Sequence, residues 1–178
     1  MKTRQSGFSL VELMVTLAIV VVLTVLAVPS FQSMLLGRRV AAAADTLASD
    51  FRFARSEAIK RTNRVTICAS SNGTSCTGTG GLWKDGWIIF VDENGNGAWN
   101  TGDVILRVQD AMQGVASIAA TDGTSRPHFV FQPTGWSQSA DQSFFITPVG
   151  SSGVAARLLC ISNKGRPGVR AKGDTSCS

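Results

Sequence analysis

The 178-residue chain has a single histidine, His128, and charged residues make up only 16% of it. One imidazole excludes most histidine-based catalysis and most His-rich metal sites. No P-loop and no paired-carboxylate motif is present. The four cysteines include no C-x-x-C pair, which argues against a four-cysteine zinc site. The 5 prolines and 18 glycines follow no repeat, so a collagen-like fibre is excluded. With 44% hydrophobic residues, wholesale disorder is excluded as well. No metal, cofactor or catalytic residue is expected, and the chain is not expected to be an enzyme.

Much of the missing charge is missing from one place. No charged residue lies between Glu12 and Arg38, and residues 13–28 read LMVTLAIVVVLTVLAV. As a helix, the uncharged stretch spans ~37 Å, enough to cross a ~30 Å bilayer core. Pro29 is expected to kink it or loosen a turn. Two other readings exist for such a run. One is a buried core helix, which this length disfavours. The other is a secretory signal peptide, whose small-residue cleavage site Ala27 and Ser30 mimic. The flank points away from a signal peptide. It is MKTRQSG followed by FSLVE, a seven-residue leader carrying Lys2 and Arg4 and ending in Gly7. The leading positive charges favour a cytoplasmic N-terminus. Glu12 then places a carboxylate at the start of the span, a costly position that marks function.

Gly7-Phe8-Ser9-Leu10-Val11-Glu12-Leu13, with the apolar helix directly behind, resembles the start of type IV prepilins and pseudopilins. The resemblance implies cleavage between Gly7 and Phe8 by a membrane prepilin peptidase on the cytoplasmic side, with methylation of the new amine. The apolar helix is then retained as an inner-membrane anchor and later packs with other pilin subunits in a filament. It also implies a partner for Glu12, the N-terminal amine of an adjacent subunit, there that subunit's Phe8. The simpler role for Glu12 is to complement the helix dipole.

After Arg38-Arg39 the pattern becomes amphipathic. Val40, Ala44, Leu47, Phe51, Ala54 and Ala58 recur at helical spacing, with Arg52, Arg55, Lys60 and Arg61 mostly off that stripe. FRFARSEAI within this segment is similar to the GspH/FimT group of minor pilins and pseudopilins. Beyond Thr62, short apolar or alternating runs at 64–69, 86–92, 104–109, 129–132, 144–148 and 158–162 are separated by Gly, Asn, Ser and Asp clusters, and these predict strands. The expected fold is α+β and pilin-like, a long hydrophobic N-terminal spine helix packed on an antiparallel β-rich head. Its expected divisions are a leader at 1–7, a spine at 8–62 whose first half is transmembrane, and a head at 63–178. Trp83, Trp87 and Trp136 are expected in the head's core or at its edges.

Cys68, Cys76, Cys160 and Cys177 are an even set in a chain read as exported, which suits disulfides. Three pairings are possible, and the local ones are the most economical. The segment from Asp92 to Asp103 carries Asp92, Asn94, Asn96, Gly97 and Asp103 at calcium-loop spacing, with Asp where Glu is usual. Its flanks read as strands and it contains Asn-Gly, so a plain turn is the favoured reading.

The positive charge is uneven. Residues 38–64 hold seven basic and three acidic side chains, residues 65–156 three and seven, and residues 157–178 five and one. The tail CISNKGRPGVRAKGDTSC is therefore a basic, glycine-containing loop between two cysteines, suited to contacting successive phosphates. It is similar to the Gly-Arg motif of FimT-type pilins, which bind DNA in natural transformation. That resemblance implies a DNA site at Lys164, Arg166, Arg170 and Lys172, with double-stranded DNA as partner. The spacing departs from the motif, because Pro167-Gly168-Val169 separates Arg166 from Arg170. The residues and the resemblance together point to a minor pilin or pseudopilin that helps initiate a type IV filament. On that reading it is expected to be a single-pass inner-membrane protein with its head in the periplasm, incorporated into an extracellular or periplasmic filament. The H-type pseudopilin of type II secretion is the alternative.

Overall fold

A computed structural model describes residues 8–77, 83–124, 126–137, 142–150, 153–162 and 164–177. The leader, including Gly7 of the expected cleavage site, lies outside them. The chain begins with one helix, α1, Leu10–Arg61, of 52 residues and ~78 Å. Ser9 caps it, its hydroxyl accepting from the Glu12 N–H at 3.2 Å. Pro29 lies within the helix and costs it one hydrogen bond without ending it. The helix stops at Thr62, whose left-handed backbone (φ 53°) turns its N–H back onto the carbonyls of Ala58 and Ile59.

The two halves of α1 have opposite surroundings. Residues 8–32 are exposed throughout. In the second half Val40, Ala44, Leu47, Phe51, Ala54 and Ala58 are completely buried, and Ala43 and Ala48 widen the stripe. Alanines on both sides of Phe51 let the helix axis approach the sheets closely.

Among the described residues eight strands follow. They are β1 (Val65–Ala69), β2 (Gly86–Val91), β3 (Val104–Asp110), β4 (Val115–Ala120), β5 (His128–Phe131), β6 (Gln142–Pro148), β7 (Arg157–Ile161) and β8 (Pro167–Val169). They form two antiparallel sheets, β3-β2-β1-β5 and β4-β6-β7-β8. Strands β1 and β2 are buried on both faces, which explains the unbroken apolar run GWIIFV. Trp87 and Ile89 join the main core under α1. Ile88 and Phe90 face a small second core with Cys68, Trp99 and Ile105. The Cys68–Cys76 disulfide closes the loop over that second core.

Six strands coincide with the predicted runs to within two residues. Strand β4 was not predicted: VASIAA holds three alanines, weak strand formers, and becomes a strand because β6 offers it an edge and Val115 and Ile118 are buried there. Strand β8 replaces part of the expected tail loop. Its Pro167 is tolerated because β8 pairs with β7 alone. Trp83 and Trp87 are buried, but Trp136 is 55% exposed, because it sits on a turn closed by the Gln132 N–H to Trp136 carbonyl bond.

A buried polar contact ties α1 to the first sheet. Asp50, 2% exposed, accepts from Trp87 Nε1 at 2.7 Å and from Arg107 Nη1 at 2.5 Å. The Arg107 guanidinium also lies 3.9 Å over the Phe53 ring. The pair is thus hydrogen-bonded as well as charged, which is what a buried carboxylate requires.

Phe51 sits among Trp83, Phe129, Phe131 and Phe144. Phe51→Ala is expected to cost about 3–5 kcal/mol in urea unfolding of a head fragment beginning at residue 37. A loss below about 1 kcal/mol would contradict this account of the core.

Candidate functional site

The tail is a hairpin before it is a loop. Strand β7 ends at Ile161, and β8 returns along it with Leu159, Cys160 and Ile161 opposite Val169, Gly168 and Pro167. Two backbone bonds close the turn, Ser162 N–H to Arg166 carbonyl and Gly165 N–H to Ser162 carbonyl. Gly165 has φ +67°, and a Cβ there would lie 2.6 Å from Phe131 Cε1. Only glycine fits, and its position on Phe131 holds Lys164 and Arg166 outward, both exposed. Beyond β8, the Cys160–Cys177 disulfide returns the terminus to β7.

The four basic tail residues do not share one surface. Arg166 faces a groove of about 330 Å³ together with Arg52, Arg55, Ile59 and Pro167. The two helix arginines are held there by backbone carbonyls: Arg55 Nε donates to Gly135 O at 2.9 Å and Arg52 Nη2 to Pro167 O at 3.4 Å. Arg170 and Arg166 border a second recess of about 450 Å³ beside Gln142 and Cys177. Arg170 Nη2 is partly committed, donating to the Cys177 carbonyl. Lys172 lies elsewhere, beside Arg38 and Arg157. Among the described residues none of these cations is ion-paired with a carboxylate. The sequence placed Arg52 and Arg55 off the buried stripe but gave no sign that they meet Arg166. Contacts separated by more than a hundred residues leave no local signal.

The segment from Asp92 to Asp103 joins β2 to β3 as a self-bonded turn. Asp92, fully buried, accepts from the Gly95 and Gly97 N–H groups and from Thr66 Oγ1. Asn94 and Asn96 accept from the N–H groups of Asn96 and Ala98, and Asp103 from that of Asn100. These are Asx-type bonds, in which side-chain oxygens serve the loop's own amides. His128 lies over this turn. Gly97 has φ +77°, and a Cβ there would stand 2.2 Å from His128 Nε2.

At the other end of the molecule, Glu12 sits in the first turn of α1, where the helix dipole favours negative charge. Phe8 is 75% exposed and leads an apolar surface that includes Leu13, Leu17, Val21, Leu26 and Phe31. A helix apolar on every side has no stable place in water.

A family model for the type II transport protein GspH matches residues 43–165, well over half of the chain. The chain belongs to the GspH family. A second match, the prokaryotic N-terminal methylation motif, covers residues 2–28. The fold is similar to two crystal forms of the type IV minor pilin FimU of Pseudomonas aeruginosa. One is 21% identical with a TM-score of 0.57, covering 79% of this chain and 95% of that one. The other is 22% identical with a TM-score of 0.55, covering 78% and 98%. It is also similar to the minor pseudopilin EpsH from the type 2 secretion system of Vibrio cholerae, at 12% identity and a TM-score of 0.52, covering 76% and 99%. No curated protein sequence matches significantly. The family is one of pilin-like structural subunits, and an apolar N-terminal helix behind a methylation motif marks membrane-anchored members of filaments.

Burial holds the His128 imidazole below its ordinary value of 6.5, against a smaller opposing pull from Asp92. Above that pH both folded and unfolded chains hold it neutral. As pH falls below about 6.5, the unfolded chain takes the proton first, so stability drops until the folded site is protonated too. Melting temperatures between pH 7.5 and 5 are therefore expected to fall, and His128→Gln to flatten that slope. An equal slope in the variant would assign the effect to other groups.

Proposed function

We propose that the chain is a minor pilin or pseudopilin that is cut behind Gly7, anchored in the inner membrane with its head in the periplasm, and used to initiate a type IV-class filament. The observation that carries this reading is the divided helix, one half buried in the head and the other an exposed apolar rod with a carboxylate in its first turn. Such a rod requires lipid first and other subunits' helices later. Glu12 then needs a cation when it leaves water, and the amine freed on a neighbour's Phe8 supplies one. The role is structural. The arrangement of the head supports interaction rather than chemistry.

DNA capture is a further part of the proposal. Arg166 with Arg52 and Arg55 presents three guanidinium groups from two elements, and Arg170 stands on the next recess. Guanidinium groups suit phosphate diesters, and the contact would be to backbone without base readout. Lys164 at the hairpin tip adds charge, while Lys172 lies off this surface and should matter less. The family match supports the second reading, an H-type pseudopilin in type II secretion, because that is the system its description names.

Mass spectrometry of the membrane-extracted protein is expected to show Phe8 at the N-terminus. Met1, or any residue beyond Val28, would overturn the prepilin reading. Glu12→Gln is expected to leave membrane anchoring intact and remove the subunit from sheared filaments. For DNA, Arg166→Ala with Arg170→Ala should abolish the gel shift of duplex DNA by the head at low salt, and Arg52→Ala with Arg55→Ala should weaken it severalfold, since each lost phosphate contact lowers both affinity and its salt dependence. Unchanged binding in both variants would remove this surface as the site. Loss of secretion with intact piliation in a deletion strain would decide for the second reading.

A further inference from the structure

Where α1 leaves the apolar run, it forms one wall of a crevice of about 480 Å³. Ser30, Ser33 and Arg38 stand on the helix wall. Val154, Arg157 and Lys172 stand on the opposite wall, from the segment entering β7, from β7 itself and from the tail. Three cations from three separate parts of the chain thus converge on one recess. None has a carboxylate partner among the described residues. Arg157 is half-buried and spends one contact on the Arg170 carbonyl at 3.4 Å, leaving most of its five N–H donors for another group. The Cys160–Cys177 disulfide limits how far the Lys172 segment can leave the recess.

The depth of this crevice follows from the helix. About 20 residues cross a bilayer core, so a span beginning near Leu10 ends near Pro29. Ser30 and Ser33 then lie at the headgroup level of the distal leaflet, and Arg38, ~13 Å past Pro29 along the helix, reaches back toward it with its long side chain. A recess at that level, bounded by Met34 and Val154 on its apolar side, is within reach of lipid phosphates.

We propose that this crevice binds the phosphodiester headgroup of an anionic phospholipid. The assignment rests on the membrane-anchored reading given above. The guanidinium groups of Arg38 and Arg157 and the Lys172 ammonium hold the phosphate oxygens, and the Ser30 hydroxyl donates to the same group. The Ser33 hydroxyl is already turned to the Ser30 carbonyl at 2.8 Å. A lipid so bound fixes the tilt of the head relative to the bilayer without any protein partner.

The test uses the full mature chain in detergent and in vesicles. Native mass spectrometry is expected to show retention of phosphatidylglycerol over phosphatidylcholine of the same acyl length. Arg157→Ala with Lys172→Ala should lower that preference roughly 10- to 30-fold, as two interfacial charges predict. Lys172→Arg should preserve it. Melting temperature and intact disulfides identify a variant that has merely misfolded, and Lys172→Glu, on an exposed residue, then gives the same reading without that risk. Equal preference in wild type and variants overturns the site. Displacement of the lipid by excess inorganic phosphate overturns the lipid assignment. A chain that enters vesicles of any composition without headgroup preference refutes the crevice alone, whereas one that enters none refutes the membrane-anchored reading and the crevice with it.

Discussion

The head depends on one side chain reaching from the helix into both sheets. Phe51 stands edge-on to Phe129 at 5.0 Å and to Phe131 at 6.2 Å, both on β5 of the first sheet, and lies 6.4 Å from Phe144 on β6 of the second. Trp83 closes the cluster between them, 5.6 Å from Phe144 and 6.0 Å from Phe129. Aromatic pairs in such geometry add about 0.5–1.5 kcal/mol each beyond their buried area. No ladder joins the two four-stranded sheets among the described residues. Their mutual position is therefore set largely by the helix packed against both. The spine is not an appendage to a finished domain; it supplies the middle of the core.

That constraint shapes the rest of α1. A residue that must be apolar for lipid and a residue that must be apolar for the core obey different patterns, all-round in the first case and one-sided in the second. The change occurs between Arg38 and Val40, where the first charges since Glu12 meet the first completely buried side chain. Because the helix is continuous across this point, a force applied to the membrane half is delivered directly to the core. The Asp50 contact with Trp87 and Arg107 resists sliding of the helix over the first sheet. The Glu57–Arg61 bond, at 2.6 Å, braces its last turn.

The spine and most of the head were legible in the sequence because their signals are local. The six residues from Val40 to Ala58 needed only helical periodicity, and six strands needed only apolar runs between turns. Strand β4 was not legible, since three alanines carry no strand preference of their own and the pairing with β6 decides their state. Strand β8 was hidden by Pro167-Gly168, a pair that reads as a turn until an edge position makes it tolerable. Trp136 was expected in the core or at its edges, and the Gln132–Trp136 turn decides for the outside. The grouping of the basic residues was the least legible feature. Lys164, Arg166, Arg170 and Lys172 are neighbours in sequence, yet the hairpin turn, the β8 edge and the Cys160–Cys177 closure aim them at three different surroundings.

That division bears on what a modest net charge of +5 means. Salt screens exposed charges from one another beyond the ~8–10 Å Debye length, so the sum says little about any one site. What matters is whether cations stand close together without carboxylates paired to them. Arg52, Arg55 and Arg166 meet that condition on one side of the hairpin, and Arg38, Arg157 and Lys172 meet it on the other, while Lys60 and Arg61 are answered by Glu57. Arg170 is the intermediate case, since its bond to the Cys177 carbonyl positions it and also uses part of its donor capacity. The tail therefore works less as a single basic patch than as a hinge between two. One faces outward beside the end of the helix, and the other lies where the helix leaves its apolar run. A ligand of one surface need not compete with a ligand of the other.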